Sequence, residues 1–203
     1  MRLKTKKGVF ALGYREYAKD YEIEYVERKG KKRPKAVRIY VGPYFRFDIP
    51  SDRLKKLKLL FLLNHTALAM FLIFPMLIDC AFSRTWYVQV FSAIAWIPWV
   101  FGAMSVFAFI KAGKRLSREQ KDQIYSRMGG ASLFLIIFCG ASLVGSVVAL
   151  FRLTPAAEDL AVALCSFLTT ALSILLFVFR RNIRFAEVEN PEKPRAKKKE
   201  EAE

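Results

Sequence analysis

Four stretches of the chain are almost wholly apolar, and the charged residues are confined to the segments between and around them. A helix rising ~1.5 Å per residue needs roughly 20 apolar residues to cross a hydrocarbon core ~30 Å thick. Residues 59–78, 88–110, 131–151 and 160–179 meet that requirement and predict four membrane-spanning helices. The first run contains Asn64, His65 and Pro75, and the second has Pro98 between Trp96 and Trp99. A helix bundle accommodates such residues, because neighbouring helices satisfy a polar side chain or a freed carbonyl. Four consecutive core helices of a soluble domain would have kept a polar face, and these runs have none.

Upstream the period changes. Tyr21-Glu22-Ile23-Glu24-Tyr25 and Val37-Arg38-Ile39-Tyr40-Val41 alternate polar and apolar residues with period two, and 28–35 between them contains Gly30 and Pro34. This pattern predicts a β-hairpin in which Glu22 and Glu24 meet Arg38 or its neighbours across the strands. Residues 8–14 and 44–47 are candidate further strands. A lone hairpin is marginal in water, so a three- or four-stranded sheet, or one leaning on the membrane face, is expected. Pro50-Ser51-Asp52 is a helix start that leads into the first span, and Ser117-Arg118-Glu119-Gln120 is a capping box opening a short helix that ends at Gly129-Gly130. From Glu187 the chain mixes Lys, Glu and Pro and reads as a disordered tail. The expected architecture is mainly α, a polytopic four-helix transmembrane bundle over 51–186. It follows a small cytoplasmic β-rich region over 1–50 and precedes a charged tail over 187–203.

Charge supplies the orientation. The chain of 203 residues carries 34 Lys and Arg and a formal net charge of +16. Of those 34, 32 lie before the first span, between the second and third, or after the fourth; Arg84 and Arg152 are the exceptions. Positive loops stay in the cytoplasm, so both termini are expected there, with a bacterial plasma membrane as the setting. A pI near 9.9 would otherwise suggest nucleic acid, but the apolar runs make these residues the basic flanks of membrane helices. The same residues are placed to meet anionic lipid headgroups. No apolar segment follows the basic opening residues, so no signal peptide is expected and the first span serves as the insertion signal.

Chemistry-bearing patterns are sparse. Cys80, Cys139 and Cys165 form no paired motif, and His65 is the sole histidine. There is no Ser/His/Asp arrangement, zinc-binding helix motif or phosphate-binding glycine loop, so no catalytic, cofactor or metal site is expected. Glu158-Asp159 is too small a set for a cation. By depth along the spans, Asn64, His65, Ser105, Cys139, Thr170 and Ser173 fall in one polar layer in the cytoplasmic third of the bundle. Such a layer is either a solute or proton path or interhelical hydrogen bonding, and no Asp or Glu lies within any span to support the path. Ala141, Gly145 and Ala149 recur every four residues and form a smooth helix-packing face, turned either into the bundle or toward a second protomer. The functional expectation is a non-catalytic accessory, regulatory or scaffold subunit that meets a protein partner through its cytoplasmic face. The alternative is a small-solute or ion transporter or channel built as a homo-oligomer.

Overall fold

The computed structural model describes residues 17–26, 35–152 and 154–190. The candidate strand at 8–14, most of the turn at 28–35 and the end of the charged tail lie outside these residues. The chain is mainly helical. Helix α1 spans Ser51–Leu77, α2 Trp86–Ile94, α3 Trp96–Lys111, α4 Arg118–Arg152 and α5 Ala157–Arg180. Helices α2 and α3 run on from one another across Ala95, so four helices are long and apolar enough to cross a membrane: Ser51–Leu77, Trp86–Lys111, Arg118–Arg152 and Ala157–Arg180. Each starts before the apolar run that predicts it, and all but the first, which stops at Leu77, also end beyond it.

Two local expectations at the helix starts fare differently. Ser117 and Gln120 form the reciprocal box: the Gln120 amide donates to Ser117 Oγ at 3.3 Å and the Ser117 amide to Gln120 Oε1 at 3.1 Å. Helix α1 starts at Ser51 behind Pro50, but no side chain bonds its first amides. The short helix expected to stop at Gly129-Gly130 is instead the opening of α4, which continues unbroken to Arg152. Glycine costs a helix about 1 kcal/mol relative to alanine, which is too little to interrupt a segment with packing on both sides.

The described residues divide into two compact units, one gathering most of the strand residues with 113–121 and 185–190, the other comprising 47–112 and 122–184. In the first unit, β1 (Tyr21–Val26) pairs antiparallel with β2 (Lys35–Tyr40). Strand β3 (Tyr44–Phe47) pairs with β4 (Phe185–Val188), giving two two-stranded sheets in place of the single larger one expected. The register places Glu22 opposite Ile39 and Glu24 opposite Val37, the two neighbours of Arg38, while Arg38 itself faces Ile23. Strand β4 also corrects the tail boundary, since Glu187 and Val188 are strand residues and Asn190 is buried. Asn190 Nδ2 donates to the carbonyls of Tyr40 and Gly42 at 3.1 and 3.2 Å. Tyr40 is the organising residue here. Its hydroxyl donates to the Pro43 carbonyl at 2.7 Å and accepts the Arg118 amide at 2.9 Å, while its ring meets Tyr21 and Tyr44 edge-on. Gly42 is needed beside it, because a Cβ there would come within 2.8 Å of the Asp20 side chain and the Tyr40 hydroxyl.

In the second unit successive long helices, with α2 and α3 counted as one, run antiparallel, as short connections require. Phe61, Leu68, Phe109, Met128, Leu135 and Leu176 are fully buried between them. At the end bearing the short loops, Cys80, Phe82, Val88, Ala149 and Val162 form a second apolar cluster. Asp159 closes that end: Oδ1 accepts the Phe82 amide at 2.9 Å and Oδ2 the Ala156 amide at 3.0 Å, so one buried carboxylate clamps two loops. Only a third of each span's most apolar window is buried. Leu59, Leu63, Met70, Ile97, Phe101, Phe107 and Val144 are among the many large apolar side chains left facing outward.

Candidate functional site

Polar side chains concentrate between the helices of the helical unit. On α1, Asn64 and His65 point to opposite neighbours. Asn64 Nδ2 donates to the Leu172 carbonyl of α5 at 3.1 Å. His65 Nε2 lies 3.2 Å from the Trp99 carbonyl of α3, and since a carbonyl only accepts, that nitrogen carries the proton. Trp99 Nε1 returns a bond to the His65 carbonyl at 3.3 Å, and the two rings stack with centroids 5.0 Å apart. Gly102 gives the imidazole its space, as a Cβ there would lie 3.0 Å from its Cε1. His65 Nδ1 is buried and has no hydrogen-bond partner.

The predicted layer is divided by this geometry. Cys139 and Ser173 come together, with Oγ and Sγ 3.9 Å apart, next in sequence to the Leu172 carbonyl that holds Asn64. Ser105 and Thr170 each donate to the backbone of their own helix, at Phe101 and Ser166. These residues do not form one continuous polar file.

A denser hydroxyl cluster lies nearer the short loops. Ser92 of α2 and Ser142 of α4 are 2.8 Å apart, Ser142 and Ser166 of α5 are 3.5 Å apart, and Ser146 reaches Ser166 at 3.3 Å. Ser142 also reaches the Val88 carbonyl at 3.4 Å, while Ser146 and Ser166 bond carbonyls one turn back, at Ser142 and Val162. Sequence spacing alone carried part of this signal, in the i, i+4 pair Ser142–Ser146. The third helix that completes the cluster could not be assigned from spacing.

Ala141, Gly145 and Ala149 lie on the same side of α4. Gly145 and Ala149 are buried and Ala141 is half-buried. A Cβ on Gly145 would be 3.0 Å from the Tyr87 ring and 3.3 Å from Val88, so α2 occupies this face. Gly140, off the face, has nothing within 4 Å.

Two cations at the opposite end do more than flank the apolar helices. Lys58 Nζ donates to the Ile110 and Ala112 carbonyls at 3.1 and 3.0 Å, satisfying exposed acceptors at the C-terminus of α3. Arg180 passes through the space that a Cβ on Gly129 would fill. Its guanidinium lies over the Tyr125 and Phe177 rings at 4.6 and 5.1 Å. It donates to the Tyr125 carbonyl at 3.4 Å.

Chemically, these groups bind helix to helix. Among the described residues no group of three or more His, Cys, Asp or Glu is placed to hold a metal. No family model, curated protein or solved structure matches the chain.

Proposed function

We propose that the chain is an integral membrane protein with four spans and both termini in the cytoplasm, serving as a non-catalytic accessory or scaffold subunit. The membrane part rests on the outward-facing apolar residues, which in water would form a patch far larger than soluble monomers carry. The orientation rests on the distribution of Lys and Arg. The single observation that carries the scaffold role is how the interior polar groups are spent. Asn64 and Trp99 donate to backbone carbonyls of neighbouring helices, and Ser105, Thr170 and Ser173 to their own helices. A transport path needs polar groups free to exchange partners with a solute, whereas groups bonded in this way fix the bundle. The first unit, with its two small sheets and basic flanks, is the natural docking surface for a protein partner.

The test is extraction of the tagged full-length chain from native membranes in mild detergent, followed by mass determination and co-purification. A stoichiometric complex with a different protein supports the scaffold role. A symmetric homo-oligomer that passes solute in proteoliposomes overturns it in favour of transport.

A further inference from the structure

A cavity of about 420 Å³ opens at the basic end of the helical unit, lined by Asp48, Ile49, Pro50, Arg53, Leu57, Asn182 and Arg184. Its walls come from the entry to α1 and the exit from α5, two helices that pack directly on one another. Two guanidiniums and one carboxamide face one carboxylate, so the lining is net positive. Neither Arg53 nor Arg184 pairs with a carboxylate among the described residues. The Asp48 amide donates to the Arg184 carbonyl at 2.9 Å, which fixes the backbone of the two walls together.

We propose that this cavity holds the phosphate of an anionic phospholipid, with Arg53 and Arg184 as the charged contacts and Asn182 as an additional donor. A guanidinium presents a fork of N–H donors that matches phosphate oxygens. The position favours a lipid over a free anion because the surface turns apolar directly below the charges. Leu57 and Leu60 follow Arg53 at i+4 and i+7 on α1, placing them on the same helical face, and Leu60 is exposed. On α5, exposed Leu175 and Val178 occupy the last two turns before Asn182. An acyl chain lying along these residues remains continuous with a headgroup held above. The assignment rests on the membrane placement proposed above.

The test starts with alkaline carbonate washing of membranes, which releases a peripheral protein and retains an integral one. Release overturns the membrane placement itself, and this assignment with it; retention leaves the lipid site to be decided separately. The full-length protein is then purified in detergent doped with equal phosphatidylglycerol and phosphatidylcholine, and bound lipid is counted by native mass spectrometry. The expected result is preferential retention of one phosphatidylglycerol, weakened about tenfold by Arg53→Gln with Arg184→Gln. Lys55→Gln with Lys56→Gln removes the same charge from α1 outside the cavity and leaves retention unchanged. Equal loss in both double variants, equal retention of phosphatidylcholine, or displacement of the lipid by millimolar inorganic phosphate overturns the assignment.

Discussion

His65 and Trp99 exchange hydrogen bonds in both directions while their rings stack 11° from parallel: the imidazole donates to the Trp99 carbonyl and the indole to the His65 carbonyl. The pair ties α1 to α3 at one level. The indole N–H is thereby satisfied between the two helices. Trp99→Phe keeps an aromatic ring and deletes one bond, so it should cost about 0.6 kcal/mol, the mean for interhelical bonds in membranes. His65→Leu loses the other bond and the stack together and should cost more. Unfolding equilibria in mixed micelles measure both, and equal stability of His65→Leu and wild type would remove the pair from any structural account.

Gly145 and Gly140 are a matched comparison within one helix. Gly145→Leu has to displace Tyr87 and Val88 and should destabilise the contact of α2 with α4 by about 1–3 kcal/mol, the usual range for overpacking. Gly140→Ala meets open space and should be neutral or stabilising by up to about 1 kcal/mol. The same unfolding measurement ranks the two, and a reversal of that order would move the packing face elsewhere.

Gly129 and Arg180 should be strongly coupled. Gly129→Ala places a methyl group where the guanidinium lies, so the arginine has to swing off the Tyr125 and Phe177 rings, a loss set against the roughly 1 kcal/mol that alanine returns to the helix. Shortening the arginine in Gly129→Ala with Arg180→Ala relieves the overlap. A double-mutant cycle should return a coupling of about 0.5–3 kcal/mol, the range for residues in contact. Additive effects would mean that the arginine leaves the notch at no cost.

The loop pair Asp79–Arg84 gives a pH signature. Two hydrogen bonds of 2.8 and 2.7 Å from the guanidinium hold the Asp79 carboxyl below its ordinary value of 3.8. With the folded-state value depressed, whatever the pair contributes is present above the unfolded value and is lost as pH falls through the folded one. Both side chains are largely exposed, so global stability should hardly respond. The readable quantity is the carboxyl titration by NMR, which should move upward in Arg84→Gln. An identical titration in that variant would show that the pair does not persist in solution.

The four long apolar helices and the Ser117–Gln120 box were legible from the chain because each is decided within a few turns of its own residues. What escaped depends on partners far away in sequence. Phe185–Val188 is too short to announce a strand, and its partner β3 lies some 140 residues earlier. Depth along a helix placed Asn64, His65, Ser105, Cys139, Thr170 and Ser173 at one level, but depth says nothing about azimuth. Azimuth is what sends Asn64 to α5, His65 to α3, and Ser105 to its own backbone. Gly129-Gly130 reads as a helix stop by local preference, yet Gly129 leaves a space that an arginine 51 positions away occupies.

The second span has a consequence for the order in which the bundle is made. Its two halves, on either side of Ala95, answer to different neighbours. The α3 half closes on α1 through Trp99, a contact complete once residue 111 has been synthesised. The α2 half bonds Ser142, which emerges some thirty residues later. Because the two contacts sit on separate halves of the span, the α3 contact can form before α4 is made and the α2 contact after it, so assembly can follow the direction of translation without undoing an earlier step.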